Sequence, residues 1–183
     1  ERAREMMKRL YRPLYLIDAT DAETFAAGRT TAEGAWLKAA GFAGRLGQFI
    51  LLPAEDGTPG AAVLGMGDDA ARSRGRFHVA RAADLLPEGD WHIATRLAPL
   101  AAEEAALGLL LAGYRFTRYK AASAPKARFK APDGVDAARV LIIAEGEALT
   151  RDLINTPAAD MGPAELEAAM RALAEECGAS LGV

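Results

Sequence analysis

The sequence predicts a layered α/β domain built on a mixed β-sheet. Short apolar runs typical of strands alternate along the chain with stretches of helical periodicity, and turn-forming residues separate them. The chain is 51% hydrophobic and 26% charged, which is ordinary for a globular protein of 183 residues. Alanine is frequent and aromatic residues make up only 7%, so abundant helices and small core side chains are expected.

Four short runs are predicted to be strands. The first, 14–18, follows a proline and reads Leu-Tyr-Leu-Ile-Asp. The apolar runs 48–52 and 61–65 are separated by Asp-Gly-Thr-Pro-Gly at 56–60, which is a turn composition, so they should be neighbouring strands. The fourth run, 91–95, reads Trp-His-Ile-Ala-Thr.

Three helices accompany these strands in the prediction. The helix at 30–40 ends at Gly41, a residue suited to a C-terminal cap. The helix at 77–86 ends at a Pro-Glu-Gly-Asp turn, and the helix at 99–112 has a proline at its start and a glycine after its end. The apolar face of the first helix consists of Trp36, Leu37 and Ala40.

The segment 136–154 fits two structures. Residues 140–143, Val-Leu-Ile-Ile, are a β-branched strand candidate when taken alone. Helical spacing fits the same region equally, with Gly146 costing such a helix about 1 kcal/mol relative to alanine. The helical stripe consists of Val140, Ile143, Ala144, Ala148, Leu149, Leu153 and Ile154.

The pattern near the end of the chain is helix, tight break, helix. Asn-Thr-Pro at 155–157 ends one helix, because the residue before a proline is pushed out of the α region. Gly162 and Pro163 open another helix, with Glu165 in its first turn and Gly178 after its end. An ordinary turn between two helices gives the same pattern. The apolar stripe of the second helix consists of Leu166, Ala169, Met170 and Leu173.

Two longer segments resemble a known family. Residues 151–166, Arg-Asp-Leu-Ile-Asn-Thr-Pro-Ala-Ala-Asp-Met-Gly-Pro-Ala-Glu-Leu, resemble the segment that joins the two domains of the leucyl aminopeptidase (cytosol aminopeptidase) family of two-metal peptidases. Residues 106–120 look like the helix of that family that leads into its aromatic and basic Tyr-Arg-Phe-x-x-Tyr-Lys segment. The two matches occur in the family's order, and the resemblance covers most of residues 14–183.

The resemblance implies a three-layer, macro-domain-like α/β domain with a mixed sheet, followed by a helix that links two domains. For the segment left open above, it therefore implies a long helix, which we adopt as the prediction. On this division an N-terminal extension occupies 1–13, the N-terminal domain 14–135, the interdomain linker helix 136–157 and the truncated start of the catalytic domain 158–183.

The resemblance also implies a chemistry. Members of the family remove N-terminal residues from peptides with two divalent metal ions, manganese or zinc, which polarise the scissile carbonyl and activate the attacking water. Their ligands, a lysine and several carboxylates, come from glycine-rich and Asn-Thr-Asp-Ala-Glu-Gly-Arg-type motifs of the catalytic domain. Neither motif occurs in this sequence. The resemblance therefore assigns no catalytic, metal-binding or cofactor-binding residue to this chain, which is expected to be inactive alone.

Partners and location follow from the same resemblance. The chain is expected to act as a scaffold, to take part in homo-oligomer assembly (a hexamer in the complete enzyme) and to pack against its own missing catalytic domain. In isolation the apolar stripe of the last helix would be uncovered, so it would swap, dimerise or fray. Peptides would be the substrates of the parent enzyme, and a cytoplasmic location is implied.

The histidines and the cysteine, residue types that are often catalytic or metal-binding, are given structural explanations here. His78 and His92 are the two histidines, and neither belongs to a His-Glu-x-x-His pair or to a cluster with metal-ligand spacing, so both are interpreted as structural or surface residues. Cys177 has no histidine nearby in sequence to act as its base, so it is interpreted as a packed residue rather than a nucleophile.

The glycines and aspartates at 65–69, Gly-Met-Gly-Asp-Asp, follow a predicted strand. Their backbone could approach a phosphate, as a stand-alone macro-like module would require. However, Asp68 and Asp69 would repel a phosphate, and adjacent side chains at a strand end diverge rather than share a metal ion. A strand-ending turn with solvated aspartates is the favoured interpretation.

A basic segment at 115–132 contains no acidic residue and has aromatic side chains interleaved. Basic and stacking side chains together are what a groove for single-stranded nucleic acid requires. The favoured interpretation is a solvated connection that its aromatic residues anchor, with nucleic-acid contact as the alternative. The basic residues are Arg115, Arg118, Lys120, Lys126, Arg128 and Lys130, and the aromatic ones are Tyr114, Phe116, Tyr119 and Phe129.

The net charge, the cysteine content and the apolar runs argue against a nucleic-acid-binding, a disulfide-bonded or a membrane-spanning protein. The formal net charge of −3 gives no general attraction to nucleic acid or to an anionic membrane. Cys177 is the single cysteine, so no intrachain disulfide can form, which fits a reducing cytoplasm. No apolar run approaches the roughly 20 residues of a membrane span, and residues 1–12 are charged rather than an apolar signal core.

Overall fold

The computed structural model describes residues 11–182, which form two compact units. The domain division predicted from the sequence stays a prediction, and residues 1–10 of the predicted N-terminal extension lie outside the described residues. The first unit comprises residues 11–114 and 124–144, and the second comprises residues 115–123 and 145–182.

The first unit is built on a mixed β-sheet. Its strands are β1 (Arg12–Asp18), β2 (Phe49–Pro53), β3 (Pro59–Gly67), β4 (Gly89–Ile93) and β5 (Ala127–Phe129). Their order across the sheet is β2-β3-β1-β4-β5, with β2 antiparallel to β3 and every other neighbouring pair parallel. The predicted α/β class with a mixed sheet is therefore confirmed.

Helices separate and follow these strands. They are α1 (Ala22–Ala27), α2 (Thr31–Ala39), α3 (Asp69–Arg72), α4 (Arg81–Leu85), α5 (Pro99–Ala112), α6 (Ala137–Asn155) and α7 (Pro163–Glu176). Short 3-10 turns occupy Ala19–Asp21 and His78–Ala80. None of the helices between residues 11 and 182 has the length and apolarity needed to cross a membrane.

Helices cover both faces of the sheet, so the first unit has three layers. Side chains on a strand alternate between faces. On β1, Leu14 and Leu16 pack into a core with residues of α4 and α5, whereas Ile17 packs on the other face with residues of α1 and α2. On β3, Leu64 joins the first of these cores and Val63 the second. This alternation explains why both strands are apolar at nearly every position.

The helix predicted at 77–86 is wrong as a single element. Phe77 has a left-handed backbone conformation with a φ of 58°, a 3-10 turn follows, and only α4 is α-helical. The backbone N–H of Phe77 donates to Oε1 of Glu104 at 3.1 Å. A contact with a residue so far along the chain overrides the local periodicity.

Two other segments differ from the simplest interpretation of the sequence. The strand predicted at 91–95 begins and ends two residues earlier, as β4. The three-residue strand β5 lies inside the basic segment, which was expected to be a solvated connection. β5 pairs in parallel with β4, and Nε of Arg128 donates to Oδ1 of Asp90 across the pair at 2.7 Å.

The segment 136–154, whose sequence fitted both a strand and a helix, is helical. All of it except residue 136 lies in α6. Asp136 accepts a hydrogen bond from the backbone N–H of Arg139 at 3.1 Å, which caps the start of the helix. Val140 and Ala144 lie one turn apart and are buried, whereas Ile142 is 67% exposed. Burial with a four-residue spacing requires a helix.

Candidate functional site

The first unit contains a cavity of about 610 Å³ at the edge of the sheet where β1, β3 and β4 end. Asp18 and Met66 lie near the ends of β1 and β3 at this cavity, and Thr95 and Arg96 follow β4. The chain passes from β1 to β3 on one side and then crosses to β4 on the other side of β1. This edge is therefore a topological switch point, where open α/β sheets bind their ligands.

Thr95 forms the floor of this cavity by joining the ends of β1 and β4. The last backbone hydrogen bond between the two strands runs from Ala94 N to the Leu14 carbonyl oxygen at 2.9 Å. Beyond it, the Thr95 hydroxyl accepts from Leu16 N at 2.8 Å and donates to the Leu16 carbonyl oxygen at 3.1 Å. The Thr95 side chain thus takes the place of a pair of backbone hydrogen bonds at the point where β1 and β4 separate.

Replacing Thr95 by valine should lower the free energy of unfolding by about 2 kcal/mol, because both backbone groups of Leu16 lose their partner without any change in side-chain shape. Thr95→Ser keeps the hydroxyl and is the matched control, with a loss of less than about 1 kcal/mol. Urea denaturation followed by circular dichroism measures both. A larger loss for Thr95→Ser than for Thr95→Val would show that the methyl group matters more than the hydroxyl.

Arg72 holds the ends of β1 and β3 together at the cavity wall. Its guanidinium donates to both carboxylate oxygens of Asp18, at 2.8 and 3.3 Å, and to the carbonyl oxygens of Met66 and Gly67 at 3.1 and 3.3 Å. It also pairs with Asp69. The hydrogen bond with Asp69, supported by the charge of Asp18, raises the pKa of Arg72 above its ordinary value. These contacts make Arg72 a structural cross-link.

Glu104 of α5 holds the opposite wall. Its carboxylate accepts from the backbone N–H of Phe77 at 3.1 Å and from Arg76 at 3.0 Å. The Phe77 N–H, and then Arg76, lower the pKa of Glu104 below its ordinary value. On the same helix, Gly108 leaves room for Phe77, since an added Cβ would lie 3.2 Å from the Phe77 Cβ. The left-handed conformation of Phe77 is therefore held by contacts from α5.

The glycines and aspartates at 65–69 have structural partners. Gly65 and Gly67 belong to β3, and a Cβ on Gly65 would lie 2.2 Å from the Arg45 carbonyl oxygen. Asp68 caps α3 by accepting from Ala71 N at 2.7 Å, and Asp69 pairs with Arg72. Both carboxylates are thus engaged within the protein, one by a helix end and one by an arginine.

The two histidines lie apart in different environments. His78 lines the cavity and its Nε2 donates to the Arg72 carbonyl oxygen at 3.0 Å. His92 lies on β4, where burial, and then the charge of Lys130, lower its pKa below the ordinary value. Cys177 is exposed at the C-terminal cap of α7, in the second unit, so its interpretation as a packed residue is wrong. Between residues 11 and 182, no three side chains of His, Cys, Asp or Glu come together to hold a metal ion.

The basic segment is divided between the two units. Arg115, Arg118 and Lys120 belong to the second, and the other three basic residues to the first. In the first unit, Arg128 pairs with Asp90 at 2.7 Å and Lys130 with Asp133 at 3.4 Å. In the second, Arg115 Nε donates to the Ser123 carbonyl oxygen at 3.0 Å. Acidic and backbone partners thus occupy several of these cations.

The two segments that carry the family resemblance contact each other within the second unit. The hydroxyl of Tyr119 donates to Oδ2 of Asp160. This hydrogen bond, together with the charge of Asp160, raises the pKa of Tyr119 above its ordinary value. Spacing along the chain gave no sign of this contact.

The sequence did not single out most residues of the cavity: Asp18, Asp21, Arg72, Thr95, Arg96 and Glu104. A signal was available for three of them, because Asp18, Thr95 and Arg96 stand at or just after the predicted ends of strands. In a sheet with a switch point, such positions meet at one edge. Arg72 and Glu104 reach the cavity from helices, and no local pattern marks them.

Comparison with known proteins confirms the resemblance. A family profile described as M17 aminopeptidase, N-terminal domain, matches residues 12–132. The probable cytosol aminopeptidase of Leifsonia xyli subsp. xyli (strain CTCB07) is 33% identical over 174 residues, which cover 86% of this chain and 34% of that protein. The chain therefore spans about a third of the length of this relative.

Solved structures agree with this match. The cytosol aminopeptidase from Coxiella burnetii superimposes with a TM-score of 0.82 at 27% identity, covering 91% of this chain and 36% of that one. The bottromycin maturation enzyme BotP in complex with Mn gives a TM-score of 0.67 at 25% identity, covering 91% of this chain and 36% of that one. The chain belongs to the M17 aminopeptidase family and corresponds to its N-terminal domain.

Proposed function

We propose that this chain is the non-catalytic N-terminal portion of a two-metal aminopeptidase of the leucyl aminopeptidase type, which hydrolyses N-terminal residues from peptides in the cytoplasm. In this proposal the chain is a scaffold that takes part in homo-oligomer assembly, as a hexamer in the complete enzyme. The match of the N-terminal domain profile to residues 12–132 carries the proposal. The coverage of only 34% of the Leifsonia relative supports a catalytic domain elsewhere in the parent protein.

The described side chains do not fit a two-metal site. A site for zinc or manganese needs several histidine, cysteine or carboxylate ligands around one point. No such group of three occurs in the described part of the chain, from residue 11 to residue 182. The proposal therefore assigns both divalent ions, manganese or zinc, to the catalytic domain of the parent. The division of the chain after residues 13, 135 and 157 belongs to the same proposal.

The proposal is tested by measuring intact mass and activity on one sample. We expect that the chain of 19.3 kDa does not hydrolyse leucine p-nitroanilide with manganese, whereas a longer protein containing the remaining part of the parent does. A metal-chelated sample of the longer protein is the control for metal dependence. Manganese-dependent turnover by the 19.3 kDa chain itself would overturn the proposal.

An apolar face on α7 marks where the catalytic domain would pack in this proposal. Leu166, Met170 and Leu173 are 44, 48 and 43% exposed, at the helical spacing predicted from the sequence. A contiguous exposed apolar face on a short helix is typical of a surface that another structure covers. Without the catalytic domain, this face is available for self-association.

Replacing Leu166 and Leu173 together by glutamate should reduce self-association of the 183-residue chain. Charges on this face would have to be desolvated in any contact between two copies, which opposes association. Ala172→Glu adds a charge on an exposed position of the same helix outside the stripe and is the matched control. Light scattering across a concentration series measures the mass. The same concentration dependence for all three proteins would contradict a role for this face.

A further inference from the structure

Most charges that line the cavity at the carboxyl edge of the sheet are already paired. Asp18 pairs with Arg72 at 2.8 Å. Glu104 pairs with Arg76 at 3.0 Å and also accepts from a backbone N–H. These groups are committed to holding the walls, so they are poor candidates for binding a ligand.

Among the charged side chains that line the cavity, one carboxylate (Asp21) and one guanidinium (Arg96) form no ion pair with the wall. Asp21 lies in the 3-10 turn after β1, and Arg96 lies in the loop after β4, so they approach the cavity from the two strands that separate there. Both residues are exposed. The Asp21 carboxylate accepts one hydrogen bond, from the Thr20 hydroxyl at 3.4 Å, and neither residue forms an ion pair with another residue in the described range 11–182. The cavity thus offers one charge of each sign to a ligand.

The remainder of the lining is largely apolar. Leu97 and Leu100 precede and begin α5, and Phe77, which contacts the same helix, also lines the cavity. Leu100 is 81% exposed, so an apolar ligand in the cavity would cover surface that is otherwise in contact with water. The left-handed backbone of Phe77, which its contacts with Glu104 and Gly108 hold, is a second sign, because residues held in such conformations cluster at functional sites.

We propose that this cavity binds a small zwitterion with an apolar side chain, namely a free α-amino acid or a dipeptide. The ammonium group pairs with Asp21, the carboxylate pairs with Arg96, and the side chain covers Leu100 and packs against Phe77. A simple anion or cation would leave one of the two charges unpaired, and a purely apolar ligand would leave both. The volume of about 610 Å³ lies within the range of small-molecule sites and has room for a dipeptide as well as for a free amino acid.

This ligand class follows from the cavity and does not rest on the proposed function. It also deepens that function, because apolar amino acids and shortened peptides are what an aminopeptidase releases. A site of this kind in the N-terminal domain would let the parent enzyme sense its products.

Calorimetric titration of the 183-residue chain with a matched ligand series tests the proposal. The probes are L-leucine, N-acetyl-L-leucine without the ammonium, L-leucinamide without the carboxylate, glycine without the apolar side chain, and L-leucyl-L-leucine. We expect leucine or the dipeptide to bind. The three analogues that lack one feature of leucine, namely N-acetyl-L-leucine, L-leucinamide and glycine, should each bind about tenfold more weakly. The tighter of leucine and the dipeptide identifies the length of ligand that the cavity accepts.

Two substitutions locate the binding. Arg96→Ala should abolish the preference for leucine over leucinamide, and Asp21→Asn should abolish the preference over N-acetylleucine, each without affecting the other preference. Arg74→Ala removes an exposed arginine that does not line the cavity, so it should bind as the unaltered chain does. Circular dichroism melts confirm that each variant is folded.

Three results would overturn the proposal: no binding of leucine or dipeptide, equal binding of the analogues, or preferences that survive both substitutions. Binding is read directly, without turnover. A chain that binds leucine but belongs to no active peptidase would refute only the proposed function, and an active parent whose cavity ignores leucine would refute only this site.

Discussion

Replacing Gly65 by alanine should destabilise the first unit by about 3 kcal/mol or more. Gly65 lies on β3 in the interior of the sheet, and an added Cβ would be 2.2 Å from the Arg45 carbonyl oxygen and 2.6 Å from the Gly44 carbonyl carbon. Both are backbone atoms, so no side chain can rotate away. Gly65 also accepts from Gly47 N at 2.8 Å and donates to the Gln48 carbonyl oxygen at 2.7 Å, which fixes the loop against the strand.

Gly146→Ala is the control with the same chemical change. Gly146 lies within α6, is exposed, and has nothing within 4 Å of an added Cβ. Alanine should therefore stabilise the helix by up to about 1 kcal/mol. Denaturant unfolding of both variants compares the two free energies. A Gly65→Ala protein as stable as the unaltered chain would mean that the loop does not approach β3 this closely.

The accuracy of the sequence predictions depended on whether local or distant residues determine an element. α5 begins and ends where it was predicted, at 99 and 112, because a proline and a glycine mark both ends. β5 was missed because three residues are too few for an alternating pattern to be recognised, and pairing with β4, far earlier in the chain, makes it a strand. The interruption at Phe77 likewise depends on Glu104, a contact that periodicity cannot reveal.

The candidate site was predictable only in part, for the same reason. The ends of β1 and β4 were approximately located by their apolar runs, and the switch-point rule places Asp18, Thr95 and Arg96 at one edge. The roles of these residues depend on which charges are already paired. Arg72 lies in α3, directly after β3, and from there its guanidinium pairs with Asp18 at the end of β1, a contact that the sequence does not reveal.

Replacing Trp91 by alanine should lower the free energy of unfolding by about 3–5 kcal/mol. Trp91 lies on β4 and is the largest fully buried side chain among the described residues, at 0% exposure. It packs in the core with Leu14 of β1 and Leu109 of α5, and its Nε1 donates to the Pro87 carbonyl oxygen at 3.1 Å. Alanine would leave a cavity that small neighbouring side chains cannot fill.

Trp91→Phe separates packing from hydrogen bonding. Phenylalanine keeps most of the apolar volume but leaves the Pro87 carbonyl oxygen without its donor, so a loss of about 1–2 kcal/mol is expected. Urea unfolding followed by far-ultraviolet circular dichroism measures both variants. A loss below about 1 kcal/mol for Trp91→Ala would contradict a core centred on this residue. Because β4 leads directly to Thr95 and Arg96, the alanine variant should also weaken any ligand binding at the carboxyl edge before the protein unfolds.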